Sequence, residues 1–443
     1  MSIEFNFPPD ALEKLLAWTE KYISDGPNPT HGAMSFEELD PVLGKSITEE
    51  GIGADQAFNL FSETILPSTR PFGHPTSLSF VASAPTKAAL GFDAALGASG
   101  IFAGNWDGGS GAIHAENQVL RWLADLARWP DTAGGVFVAG GTLGNLSALH
   151  AARTRFRDRT GFSKRLAILS SSEAHSSIVA VAQVMDVDII TAPTDKTGRL
   201  TAALAKGLMA DNVFAVVANG GATNCGAIDD IKGLAALAKT YHAWLHIDGA
   251  YGGAALASPY LRDAFDGIEE ADSLIVDPHK WLFAPYDSCA LVYRDAADGK
   301  AAHGQRAVYL DVLDKAQWNP SDYALHLTRR ARGLPLWYSL ATHGTNAYAK
   351  AITKTRQIAE DVASGIDSMP WLDLLIGPQL TVILFRARGM SECEMMQWAE
   401  TNRRSGALLC LPTQWRGEPV FRLCFVNPNT DPDEVLSVLK TLQ

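Results

Sequence analysis

Two apolar runs in this chain end in residues that could do chemistry together. Ser273-Leu274-Ile275-Val276 leads into Asp277-Pro278-His279-Lys280-Trp281, and upstream Trp244-Leu245-His246-Ile247 leads into Asp248-Gly249-Ala250-Tyr251. Proline cannot extend a paired strand, so the backbone turns at Pro278 and presents His279 and Lys280 at a strand end. A lysine there, followed by Trp281, Leu282 and Phe283, can be desolvated to a neutral amine, the form that makes a Schiff base with a carbonyl. Taken alone, Lys280 reads as a surface lysine after a strand. With an acid at a second strand end it matches the needs of pyridoxal 5'-phosphate: an amine for its carbonyl and an anion for its pyridine nitrogen.

A third run, Val136-Phe137-Val138-Ala139, ends in Gly140-Gly141-Thr142-Leu143-Gly144-Asn145 and passes into a helical pattern. Free backbone N–H groups and the positive helix end would meet at Gly141 and Thr142, where a phosphate fits. The pattern is neither GxGxxG nor a Walker loop, and Thr142 alone could be an ordinary N-cap. His175, in Ser171-Ser172-Glu173-Ala174-His175, follows another strand-like run; as a lone loop histidine it would read as solvated or capping.

These turns need elements to hold them. Strand-like runs at 166–170, 187–191, 213–218, 244–247 and 273–276 alternate with helical patterns around 176–184, 201–210, 231–240 and 260–265. Alternation of this kind predicts a mostly parallel sheet covered by helices on both faces, with one ligand crevice at the carboxyl ends of the strands. A further strand is expected at 289–293, a long helix from 336 to 364, strands at 380–386 and 420–426, and a helix at 392–404. Leading helices are expected at 9–23 and 53–65, and the stretch from Gly104 to Gly111 reads as a glycine-rich loop before a helix at 113–129. Residues 301–327 show little apolar periodicity and read as a long irregular loop of the kind that forms lids.

The segments His246-Ile247-Asp248-Gly249-Ala250-Tyr251-Gly252-Gly253 and Asp277-Pro278-His279-Lys280-Trp281-Leu282 resemble those of the pyridoxal-phosphate-dependent (group II) amino-acid decarboxylases, the family of aromatic-L-amino-acid and glutamate decarboxylases. The resemblance covers 72–332 well and the ends loosely. It implies a PLP-dependent transferase-like α/β fold of the aspartate aminotransferase type. Its large domain, 81–340, would hold a mostly parallel seven-stranded sheet between helices, with a small C-terminal α+β domain at 341–443. An N-terminal helical segment, 1–80, would wrap a homodimer with shared active sites.

By the same resemblance Lys280 carries the cofactor, Asp248 faces the ring nitrogen, His175 stacks on the ring, and Gly141 and Thr142 hold the phosphate. Thr223, Ala250 and His279 are further expected cofactor contacts; Ala222 stands where the family has a first threonine, which leaves Thr223 to supply the hydroxyl. Tyr323, ahead of Arg329-Arg330, matches the catalytic-loop tyrosine and is the expected proton donor, against the reading of an exposed loop tyrosine. His74, Ser77, Leu78, Trp106 and Arg422 are the expected substrate-side residues. Ser77 and Leu78 stand where larger aromatic residues are common, and Trp106 reads equally as a substrate platform or a packing lid.

The activity so implied is decarboxylation of an L-amino acid, aromatic or otherwise bulky, to its amine. Alternatives are an aldehyde-forming decarboxylase, a carbon–carbon lyase, and a cofactor-free binding protein on the same fold. The totals fit a globular enzyme: 443 residues, 47% hydrophobic, 19% charged and a net charge of -12, which disfavours nucleic acid or an anionic membrane as partner. No run approaches a membrane span. Met1-Ser2-Ile3-Glu4-Phe5 shows no basic patch before an apolar stretch, and the five cysteines have no metal-site spacing. No metal and a cytoplasmic location are therefore expected, and Cys225, with no nearby base, reads as a packing residue.

Overall fold

Strands β1 (Gly134–Val138), β2 (Ala167–Ser171), β3 (Asp188–Ala192), β4 (Val213–Asn219), β5 (Trp244–Asp248), β6 (Ser273–Val276) and β7 (Cys289–Tyr293) form one sheet in the order β1-β7-β6-β5-β4-β2-β3. The computed structural model describes residues 7–304 and 317–443. β7 runs antiparallel to both β1 and β6, and the pairs among β2 to β6 are parallel, so six strands point one way and one points back. Every residue of β1, β2 and β4 to β7 is buried, whereas β3, at the edge, is partly exposed. That is why these strands read as unbroken apolar runs: helices cover both faces of a largely parallel sheet.

A second sheet, β8 (Leu372–Ile376), β9 (Val382–Ala387), β10 (Pro412–Trp415) and β11 (Glu418–Cys424), is wholly antiparallel in the order β10-β11-β9-β8. The expected helix over 336–364 is two helices, Leu334–His343 and Thr345–Asp367, because Gly344 sits at a φ of 76° that ends the first. The stretch expected as a glycine-rich loop is partly helical: Asn105 caps a first turn at Trp106 by accepting from the Gly108 N–H at 2.9 Å, and Gly109, at φ -160° and ψ 40°, kinks the chain before the helix runs on to Leu126. The helical pattern at 260–265 is a single 3-10 turn, Arg262–Phe265. Much of the irregular 301–327 stretch, namely 305–316, lies outside the described residues.

Two buried polar contacts hold the parts in register. Arg329 pairs with Glu116, both almost fully buried, and Glu116 Oε1 also accepts the Gly333 N–H at 2.8 Å. Tyr251, on the turn after β5, stacks on Trp281 at 5.3 Å, and its hydroxyl bonds the Thr381 hydroxyl and accepts the Thr381 N–H at 2.9 Å. The Asp248 turn is thereby tied to the start of β9 in the second sheet.

Candidate active site

The carboxyl ends of β1, β2, β4, β5 and β6 converge on one cavity of about 600 Å³, within the roughly 300–1,000 Å³ range of small-molecule sites. Its wall includes Gly141 and Thr142 after β1, His175 after β2, Thr223 after β4, Asp248 and Ala250 from β5, and His279 and Lys280 after β6. Parallel pairing explains the convergence: His246, Ile247 and Asp248 lie level with Ser273, Leu274 and Ile275, so both chemical turns leave the sheet at the same edge.

Lys280 Nζ lies 3.0 Å from Asp277 Oδ2. Burial works to lower the pKa of this amine, but the carboxylates of Asp277 and Asp248 outweigh it and hold Lys280 above the ordinary lysine range. The sequence led to the opposite expectation, a neutral amine. The difference comes from Asp277, which the sequence presents as a turn residue. Its other oxygen, Oδ1, is buried with no hydrogen-bond partner among the described residues. His279 Nε2 is 3.7 Å from Asp277 Oδ2, its Nδ1 lies 2.6 Å from the Ser288 carbonyl, and burial holds its pKa below the usual histidine value.

Asp248 accepts the Asn145 amide at 3.0 Å and the Ala250 N–H at 3.2 Å. His175 caps the helix Ser176–Val184, with Nδ1 2.9 Å from Ser177 Oγ. At the start of the helix Gly141–Thr160 the N–H groups of Gly141 and Thr142 have no carbonyl one turn earlier to bond, whereas those of Leu143 and Gly144 both bond the Gly140 carbonyl at 3.1 Å. A Cβ at Gly141 would stand 3.2 Å from Asp277 Oδ2 and 3.4 Å from Ala250 Cβ, so glycine keeps this corner open.

The donor set fits pyridoxal phosphate. An amine, an acid, a helix start able to hold a phosphate and an imidazole line the same space, and one carboxylate oxygen there is left without a partner among the described residues. Asp277, Asn145, Ser177, Tyr286 and Asp287 also line the cavity, although sequence reasoning did not select them. The Asn of Gly-Gly-Thr-Leu-Gly-Asn was the available signal for Asn145.

The remaining expected residues do not line this cavity. Tyr323 is buried and stacked on Trp318, with ring centroids 4.1 Å apart, inside the core beside β1 and β7. It is neither an exposed loop tyrosine nor a wall of the cavity. Leu78 is buried in the core of the small sheet, and Ser77 bridges to Leu409. Trp106 packs in a separate apolar cluster with its backbone N–H on Asn319 Oδ1 at 2.9 Å. Arg422 is a brace: it donates to the Thr223 carbonyl at 2.9 Å and the Ser79 carbonyl at 2.6 Å. His74 lines a second cleft of about 1060 Å³, which shares Tyr286 with the first. Cys225 is buried and its thiol is pushed up to about 12 by that burial, in keeping with a packing role. Among the described residues no cluster of side chains could hold a metal ion, and no helix is long and apolar enough to cross a membrane.

Comparison with known proteins gives these observations a frame. The family described as "Pyridoxal-dependent decarboxylase conserved domain" matches residues 83–388. The chain is 28% identical over 435 residues to an aromatic-L-amino-acid decarboxylase of Bacillus atrophaeus, covering 94% of this chain and 90% of that protein. It is 29% identical over 426 residues to an L-2,4-diaminobutyrate decarboxylase of Rhizobium meliloti (strain 1021), covering 92% and 84%. Among solved structures it is similar to the Oryza sativa TDC with PLP and tryptamine, with a TM-score of 0.89 at 22% identity over 99% of this chain and 98% of that one.

Proposed function

The chain belongs to the pyridoxal-dependent decarboxylases, PLP-dependent carboxy-lyases of amino acids, and from that premise we propose that its substrate is an L-amino acid with an aromatic or similarly bulky side chain. The observation that carries this reading is the apolar share of the cavity wall, built from Leu143, Leu146, Ala180, Val181, Val184 and Tyr286. Such a wall rewards apolar side-chain area and offers no partner to a second charge. A short diamino acid is the second reading, favoured by Asp287 at the same cavity; Arg332 already pairs with that carboxylate at 3.0 Å.

Bound, pyridoxal phosphate supplies a sink for the electron pair released when the bond from Cα to the carboxylate breaks. The chain's own groups prepare for that. Gly141 and Thr142 offer N–H groups to a phosphate, and Asp248 presents a carboxylate able to hold a proton on the ring nitrogen. Lys280 must lose a proton before its amine can attack a carbonyl, and the Asp277 carboxylate, 3.0 Å away, holds that proton on the amine. The sequence assigns proton return to Tyr323; stacked on Trp318, it does not face the cavity of its own subunit, and we propose a packing role for it there.

A homodimer is proposed on the N-terminal segment. Phe7, Leu12, Leu15 and Leu16 on or beside the helix Pro9–Asp25 are exposed, and a second copy would cover them. The five cysteines are unpaired, which supports a reducing compartment, the cytoplasm.

The test is a panel of L-amino acids offered to the protein reconstituted with pyridoxal phosphate, scored for carbon dioxide and amine. Release from tryptophan, tyrosine or phenylalanine supports the reading. Release from 2,4-diaminobutyrate or glutamate alone sinks the substrate class, and aldehyde with ammonia in place of amine sinks simple decarboxylation.

A further inference from the structure

A chain of buried side chains runs through the sheet to Asp248. Trp244 Nε1 donates to Ser273 Oγ at 2.7 Å, and Ser273 Oγ lies 2.7 Å from His246 Nδ1. His246 Nε2 lies 2.8 Å from Asn145 Oδ1, and Asn145 Nδ2 is 3.0 Å from both Asp248 Oδ2 and Ser177 Oγ. Ser177 Oγ in turn is 2.9 Å from His175 Nδ1. Trp244, Ser273, His246 and Asn145 are essentially without solvent contact, so no water can substitute for a misdirected partner.

The two ends fix the direction of every hydrogen bond. An indole N–H can only donate and a carboxylate can only accept. With Asp248 ionised, the Asn145 amide must turn its NH₂ to the carboxylate, which leaves Oδ1 facing His246. His246 must then carry its proton on Nε2 and accept the Ser273 hydroxyl at Nδ1; burial, which lowers its pKa to about 4, keeps the ring neutral as this requires. The second amide hydrogen of Asn145 goes to Ser177, freeing the Ser177 hydroxyl to donate to His175 Nδ1. That nitrogen also receives the Ser177 N–H at 3.2 Å, so the His175 proton resides on Nε2. One amide thus serves both the acid and the imidazole of the cavity.

We propose that His246 is a positioning residue: by donating from Nε2 to Asn145 it locks the amide with its NH₂ toward Asp248, and so keeps that carboxylate hydrogen-bonded and aimed at a cofactor's ring nitrogen. The inference rests on the assignment of the cavity to pyridoxal phosphate. Without the His246 donor the amide can turn over, and its carbonyl then faces the carboxylate. Asp248 loses a charge-assisted hydrogen bond and gains a repulsive neighbour.

The test compares binding of pyridoxal phosphate with that of its analogue carrying CH in place of the ring nitrogen, using cofactor-free protein and absorbance titration. His246→Leu is expected to weaken pyridoxal phosphate by about tenfold or more while leaving the analogue's affinity within about twofold of wild type. His246→Gln, which keeps an N–H donor at that end, is expected to restore most of the difference. Ser273→Ala, on the far side of His246 from the cavity, should show the same selective loss in weaker form, and keeps the proposal testable should His246→Leu fail to fold. Equal weakening of both ligands would mean a merely structural role and overturn the proposal, as would unchanged binding of both. Failure of the wild-type protein to bind pyridoxal phosphate at all would instead remove the cofactor assignment.

Discussion

Lys280 and Asp277 form a contact of 3.0 Å in which the carboxylate, itself 2% exposed, holds the amine's pKa up in a place where burial alone would lower it. The opposing effects can be separated. Asp277→Asn removes the larger favourable charge and leaves the burial, so the Lys280 pKa falls. The pH at which Lys280 becomes reactive is then expected to move down. Borohydride-trapped incorporation of unphosphorylated pyridoxal, followed against pH, would show this as a shift of the rising limb to lower pH; an unmoved limb would mean that Asp277 does not set the charge of Lys280.

Lys280→Ala removes the amine that the proposed chemistry requires. Carbon dioxide release should fall below detection, and no label should appear at this position after borohydride treatment. Retention of even about a tenth of the wild-type rate would be incompatible with covalent catalysis by this lysine.

Tyr323→Phe deletes a hydroxyl whose ring is stacked on Trp318 and which makes no hydrogen bond among the described residues. The expected result is a stability change within about 0.5 kcal/mol and an unchanged one-to-one ratio of amine to carbon dioxide. A swing toward aldehyde and ammonia would return Tyr323 to the role its sequence context implies.

Glu116→Ala leaves the Arg329 guanidinium buried without its counter-charge and strips the Gly333 N–H of its acceptor. Loss of one partner of such a pair costs about 3–5 kcal/mol. Chemical denaturation should show a loss of that size, and a change below about 1 kcal/mol would mean that solvent reaches the site.

Two buried histidines set an acid limit. Burial lowers both His246 and His303 to about 4, against about 6.5 in an unfolded chain. Between those values the unfolded state takes up protons that the folded state refuses, so the contribution of these two groups to stability is full above about pH 6.5 and declines as pH falls toward 4. Each contributes a slope of about 1.4 kcal/mol per pH unit inside that window. Denaturation midpoints at pH 7 and pH 5 should differ accordingly, and His303→Asn should remove part of the slope.

The strand ends were legible because each apolar run stops abruptly at a residue that cannot continue it, as at Pro278 and Gly249. Parallel order then followed from alternation, and with it the meeting of Lys280, Asp248, Gly141 and His175. What stayed hidden were side chains whose importance lies in their neighbours across the sheet. His246 sits in an apolar strand and looks like core, and Asn145 lies inside a helix. Asp277 passes for the residue before a proline. The surroundings of Tyr323 were hidden for the converse reason: its distance along the chain from Arg329 carries no information about the Trp318 ring that covers it. The capped turn at Trp106 was missed because the glycines that follow it, with a kink at Gly109, look like loop.

The hydroxyl pair between Tyr251 and Thr381 makes the two sheets poor candidates for mix-and-match engineering. A chimera taking its C-terminal third from a homologue would have to recreate that junction, or the turn that follows Asp248 would be left with a dangling phenol in a dry seam. Selectivity would therefore be better altered by small changes along the apolar wall than by transplanting the terminal module.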